Sequence, residues 1–72
     1  MAGKSVHVVP RGDQWVVEEN DRPISSHRTQ QEAEQAGRDE AIRAQAELVV
    51  HGRDGRIERK NSYGHDPRNI KG

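Results

Sequence analysis

The sequence has no cysteine and no phenylalanine, and only one tryptophan, one tyrosine and one leucine in 72 residues. Without cysteine, neither a disulfide framework nor a thiolate metal site can form. Small domains in oxidising compartments often depend on disulfides, so their absence favours a cytoplasmic location. No apolar run approaches the roughly 18 residues that a membrane-spanning helix needs. Met1-Ala2-Gly3-Lys4 leads into no apolar segment of the secretory type, so no membrane partner is expected. Net charge is also missing, because twelve basic residues balance twelve acidic ones. Disorder usually combines low hydrophobicity with high net charge. Seven valines and four isoleucines form a thin apolar inventory, but they are clustered and periodic. One small folded domain spanning 1–72 is expected, of marginal stability.

What charge there is lies unevenly. Residues 13–47 carry a net −5 and residues 48–72 a net +3. An acidic middle and a basic C-terminal third can orient a charged partner.

The β-branched residues mark the elements. Val6-His7-Val8-Val9 and Gln14-Trp15-Val16-Val17-Glu18, joined by Pro10-Arg11-Gly12-Asp13, read as a β-hairpin. Asn20-Asp21-Arg22-Pro23 is the next turn, and Ile24–Arg28 a third, polar strand near an edge. Thr29-Gln30-Gln31-Glu32 fits a capping box, in which Thr29 accepts from the Glu32 amide and Glu32 reaches back. A helix over 30–45 follows. Ala33, Ala36, Gly37, Ala41 and Ala44 form a stripe of little volume that suits close packing on a sheet, with Trp15 and Ile42 supplying bulk. A glycine in a helix interior costs about 1 kcal/mol relative to alanine, so Gly37 points to a tight backbone approach. Glu47–His51 is the densest apolar run and reads as strand four. Gly52-Arg53-Asp54-Gly55 is its turn, and Arg56–Lys60 is strand five. Residues 61–72 form a polar tail in which Tyr63 can pack back on the sheet.

The order is β-β-β-α-β-β, an α+β fold with an antiparallel sheet and one helix on one face. Alternation sends Val6, Val8, Trp15, Val17, Leu48, Val50 and Ile57 toward the helix. It sends His7, Val9, Val16, Val49 and His51 to the opposite, outer face. That outer face is half apolar, which a monomer does not need.

Several stretches occur together in order: His7-Val8-Val9-Pro10, Trp15-Val16-Val17, Thr29-Gln30-Gln31-Glu32-Ala33, the long hairpin Glu47–Ile57, and Ser62-Tyr63-Gly64-His65-Asp66-Pro67. The chain resembles a family of small uncharacterised bacterial proteins, domain of unknown function 2188. The resemblance implies a bacterial single-domain protein. It implies no established activity, cofactor or catalytic residue.

The motifs that suggest chemistry each have a plainer explanation. Arg11-Gly12-Asp13 matches an adhesion tripeptide but has the residues of a hairpin turn. His7 and His51 can meet on the outer face if strands one and four are neighbours, yet a zinc site needs three or four ligands. Only His65 or an acid such as Glu18 could complete one, so no metal site is assigned. No serine lies in a nucleophile-elbow pattern and Thr29 is needed as a cap. No glycine-rich phosphate loop precedes the helix. No catalytic residue, cofactor or small-molecule substrate is therefore expected, and the protein is read as a non-enzyme.

Two binding readings remain. In the first, the chain is a self-associating or protein-binding module, a homodimer or a complex with another protein. Its candidate surface is His7, Val9, Val16, Val49, His51 and Arg56. In the second, the basic hairpin and tail bind nucleic acid through Arg53, Arg56, Arg59, Lys60 and Arg68.

Overall fold

The computed structural model describes residues 4–63. Six elements follow in chain order: β1 (Ser5–Arg11), β2 (Gln14–Glu19), β3 (Arg22–His27), α1 (Gln30–Ala44), β4 (Glu47–His51) and β5 (Ile57–Ser62). They form one five-stranded sheet in the order β3-β2-β1-β4-β5, with β1 at its centre. The α+β class and the β-β-β-α-β-β order are as the sequence predicts.

The sheet is mixed rather than antiparallel. β1 pairs with β4 in parallel, Val6 beside Leu48 and Val8 beside Val50. The cause is the helix. β3 runs parallel to β1 after two hairpins, and α1 then carries the chain back to its starting end. β4 must therefore enter in the direction of β1, as any helical crossover requires.

Turn chemistry closes the hairpins. Gly12 opens the β1–β2 turn with a φ of 61°. Asn20 and Asp21 both have positive φ, 54° and 65°, the backbone of a type I′ turn between β2 and β3. Pro10 lies within β1, opposite Trp15 of β2. The parallel pairing with β4 is complete at Val8, so Pro10 occupies a stretch where β1 has one neighbour and its missing N–H breaks no ladder.

The Thr29 hydroxyl accepts from the Glu32 amide at 3.1 Å and caps α1. The returning arm from Glu32 is not formed among the described residues. At the other end the Ala46 amide donates to Ala41 O at 2.8 Å and the Gln45 amide to Ile42 O at 3.2 Å. These are the two bonds of a Schellman motif, with Gln45 left-handed at φ 57° where glycine is usual. Gln45→Gly is expected to raise stability by about 1 kcal/mol by relieving that conformation. For a domain this size the gain corresponds to a melting temperature higher by about 4–8 °C.

The core lies between α1 and the inner sheet face. Val6, Val8, Trp15, Val17, Leu48 and Val50 fill it from the sheet, and Ala33 and Ala41 from the helix. Two predicted core residues do not belong. Ile42 is 49% exposed, because one step past Ala41 turns a side chain about 100° around the helix, off the small-residue stripe. Ile57 is 55% exposed, for a reason found in the β4–β5 ladder. Val50 pairs with Arg59, but His51 pairs with Ile57, so one extra residue, Glu58, bulges from β5. A bulge of one residue reverses the facing of everything beyond it, and Ile57 moves to the outer face.

β5 extends through Asn61 and Ser62, two residues assigned to the tail by sequence. Tyr63 donates its amide to Ala46 O at 3.0 Å and packs against the core. The predicted tail from residue 64 onward lies outside the described residues.

Candidate functional site: the outer sheet face

α1 covers one face of the sheet. Register defines what stands on the other. His7 opposes Glu18 and Val9 opposes Val16 across β1 and β2. His7 lies beside Val49 in the parallel pair, and His51, two residues past Val49 on β4, stands on the same face. On β5, Lys60 opposes Val49 and Ile57 opposes His51. Directly opposed residues share a face. An apolar row therefore lies on this face, Ile57 and His51 paired on the β4–β5 side and Val9 and Val16 paired on the β1–β2 side. His7, Val9, Val16 and His51 are each partly exposed.

Val49 departs from its predicted role. It points outward yet is only 4% exposed, and it stands outside the core cluster. His7 and Lys60 flank it in register, and their longer side chains take the solvent contact. Val49 thus supports this face rather than offering itself to a partner. Ile57, assigned to the core by alternation, stands instead as an exposed apolar residue on this face. Only the bulge moves it there, and no residue pattern announces that bulge.

The two histidines do meet. His7 Nδ1 and His51 Nε2 are 2.9 Å apart, with ring centroids separated by 5.2 Å and planes at 26°. His51 Nδ1 lies 3.0 Å from Gly55 O. Among the described residues no set of three His, Cys, Asp or Glu side chains is placed to hold a metal ion. His65 lies outside those residues.

Ion pairs border the apolar row. Arg11 meets Glu18 at 2.7 Å and Lys60 meets Glu47 at 3.4 Å. Such exposed pairs contribute little stability, about 0–1 kcal/mol, but they leave the face electrically balanced. Arg56 pairs with Asp54 at 3.8 Å, and its amide donates to Asp54 Oδ1 at 3.0 Å, which shapes the hairpin tip. Arg59 points to the helix side and forms an ion pair with Glu34. That pairing holds its guanidinium above the usual range. The Arg53 guanidinium lies 5.6 Å from the Trp15 ring centroid, a cation–π distance. Of the cations proposed for nucleic acid, Arg56, Arg59 and Lys60 thus face internal carboxylates, and Arg68 lies outside the described residues.

On the helix side, Glu19 and Glu40 share a hydrogen bond. That bond, then burial and the Glu40 charge, push the Glu19 carboxyl up. The same bond, then Arg43, pulls Glu40 down. Of the two, Glu19 is the one that takes up a proton first as pH falls. A raised folded-state value gives stability at low pH that is lost as pH rises through it. Glu19→Gln keeps a donor toward Glu40 without a proton to lose. It is expected to melt higher than the parent at pH 8 and level with it at pH 4, as thermal scans at the two pH values would show.

No helix among the described residues is long and apolar enough to cross a membrane. No curated protein and no solved structure matches the chain. Residues 6–63 do match one family, and the match runs from the first core valine of β1 to Tyr63. By that match the chain belongs to the family described as "Uncharacterized protein conserved in bacteria (DUF2188)".

Proposed function

We propose that this protein is a non-catalytic module that associates with a second copy of itself through the outer sheet face. The observation that carries this reading is the group Ile57, His51, Val9 and Val16, three of the four apolar and covered by no element among the described residues. Small domains with thin cores commonly gain stability by burying such a face against another.

The sheet edges support the same choice. β5 is exposed along its whole length and carries Glu58, Arg59 and Lys60. β3 carries Pro23, and its pairing with β2 shifts register after Val17. Charges, proline and bulges discourage strand addition at an edge, so the face is the better surface. Its charged border is neutral and composed of acid–base pairs, which lets two identical faces approach without repulsion. Five strands at about 4.8 Å spacing and about 18 Å in length present on the order of 400 Å² per copy. That is small for a specific interface, and the association is therefore concentration-dependent.

Sedimentation equilibrium tests this directly. The parent is expected to shift toward dimer as concentration rises. Ile57→Lys, a change at an exposed position, keeps the fold and abolishes the shift. Ile42→Lys, on the helix side, leaves the shift intact. A parent that stays monomeric at millimolar concentration removes the reading.

A further inference from the structure

We propose that His7 and His51 form a proton-sensitive clasp that ties the tip of the β4–β5 hairpin to the central strand. The geometry fixes where the protons are. Gly55 O can only accept, so His51 Nδ1, 3.0 Å away, carries a hydrogen. A neutral imidazole has one donor and one acceptor nitrogen, so His51 Nε2 presents a lone pair. His7 Nδ1 lies 2.9 Å from that lone pair and must donate to it. The chain of bonds runs from His7 Nδ1–H to His51 Nε2, and from His51 Nδ1–H to Gly55 O. One nitrogen of the four, His7 Nε2, has no partner among the described residues and keeps a lone pair.

This arrangement has a limited proton capacity. A first added proton occupies His7 Nε2 and leaves every bond in place. A second has nowhere to go except between the rings. It sets N–H against N–H at 2.9 Å, between two cations. The clasp must then open, and the hairpin loses its link to β1.

Charged groups stand around the pair on several elements, most of them engaged with one another. From β2, Glu18 stands opposite His7, engaged by Arg11 of β1. Asp21, in the β2–β3 turn, lines a cleft with His7. From β5, Lys60 lies beside Val49 and pairs with Glu47 of β4. At the hairpin, Arg56 and Asp54 pair beyond His51.

Acid therefore loosens the hairpin and charges the face. Where that face is buried against a second copy, a consequence that rests on the reading above, acid also drives the copies apart. The clasp itself is tested on the monomer at low concentration, so loss of association leaves its test unaffected.

The test is NMR of the histidine ring nitrogens and hairpin amides. At about pH 8, where imidazoles are neutral, both His7 and His51 are expected as Nδ1–H tautomers. A ring proton on Nε2 of either would overturn the proposal. The amides of Gly52 and Gly55, bonded to Arg56 O and Gly52 O, report on the hairpin. Between about pH 8 and pH 5, protection of these amides is expected to fall about tenfold relative to Val8 and Val50, the equivalent of one hydrogen bond. In His7→Gln the side-chain amide can rotate to accept from a protonated His51, so the acid response disappears. An equal response in His7→Gln and the parent, or no response in the parent, contradicts the clasp.

Discussion

Gly37→Val is expected to destabilise the domain by about 3 kcal/mol or more, at the upper end of what overpacking costs. A side chain at Gly37 has no room. A β-carbon there would sit 3.1 Å from Leu48 Cδ1 and 3.1 Å from Val8 Cγ2, with Val17 Cγ1 at 3.7 Å. These three residues are fully buried core members, and none has a flexible end that can swing away. Alanine at this position sets two effects against each other. It gains about 1 kcal/mol of helix propensity and forces its neighbours to give by a few tenths of an ångström, so Gly37→Ala stays within about 1 kcal/mol of the parent. Valine adds two methyl groups to a space already closed and brings the β-branched penalty in a helix. A domain of 72 residues has about 4–10 kcal/mol in total. Urea titration of the three proteins would show the effect, and a valine variant as stable as the parent would refute the close helix–sheet approach.

Leu48→Ala is expected to cost about 3 kcal/mol, a fall in melting temperature of about 12–24 °C. Leu48 is the largest of the fully buried side chains, 1% exposed, and the only leucine in the chain. The helix opposite presents Ala33, Gly37 and Ala41, which cannot extend to refill the gap. The cavity term therefore adds to the lost transfer energy. The two sites touch, and this yields a sharper result. In the Leu48→Ala background the cost of Gly37→Val should shrink, because the truncation clears the space that valine needs. A coupling of about 1–3 kcal/mol in that double-mutant cycle is expected, and strict additivity would contradict direct contact between the pair.

The parts of the fold that were legible in the sequence rest on short-range chemistry. Thr29 marks the helix start, Asp54-Gly55 the hairpin turn and Asn20-Asp21 the tight turn. Alternation sorts Val6, Val8, Trp15 and Val17 correctly because their hairpin has no bulge. The same rule misplaces Ile57 because Glu58 bulges, and the strand carries no glycine or proline at that point to signal it. Ile42 shows the limit of composition: it is a large apolar residue in a helix whose buried stripe is built from alanine and glycine. The parallel β1–β4 pair was readable in principle, since a helix between two strands of one sheet forces a crossover. On the outer face, Val9, Val16, His7 and His51 were placed correctly. Burial of Val49 depends on the long neighbours that register supplies, and sequence separation hides them. The nearness of His7 and His51 follows from strand order, which the sequence left open.

The proposed dimer joins two copies through their outer faces. The most direct measurement is an isotope-filtered NOE experiment on a mixture of labelled and unlabelled chains at high concentration. Contacts between copies are expected from the methyl groups of Val9, Val16 and Ile57, with Ile42 and the helix silent. A dimer whose intermolecular contacts fall on Ile42 or along the β5 edge, or a sample with no intermolecular contact at all, would contradict the account.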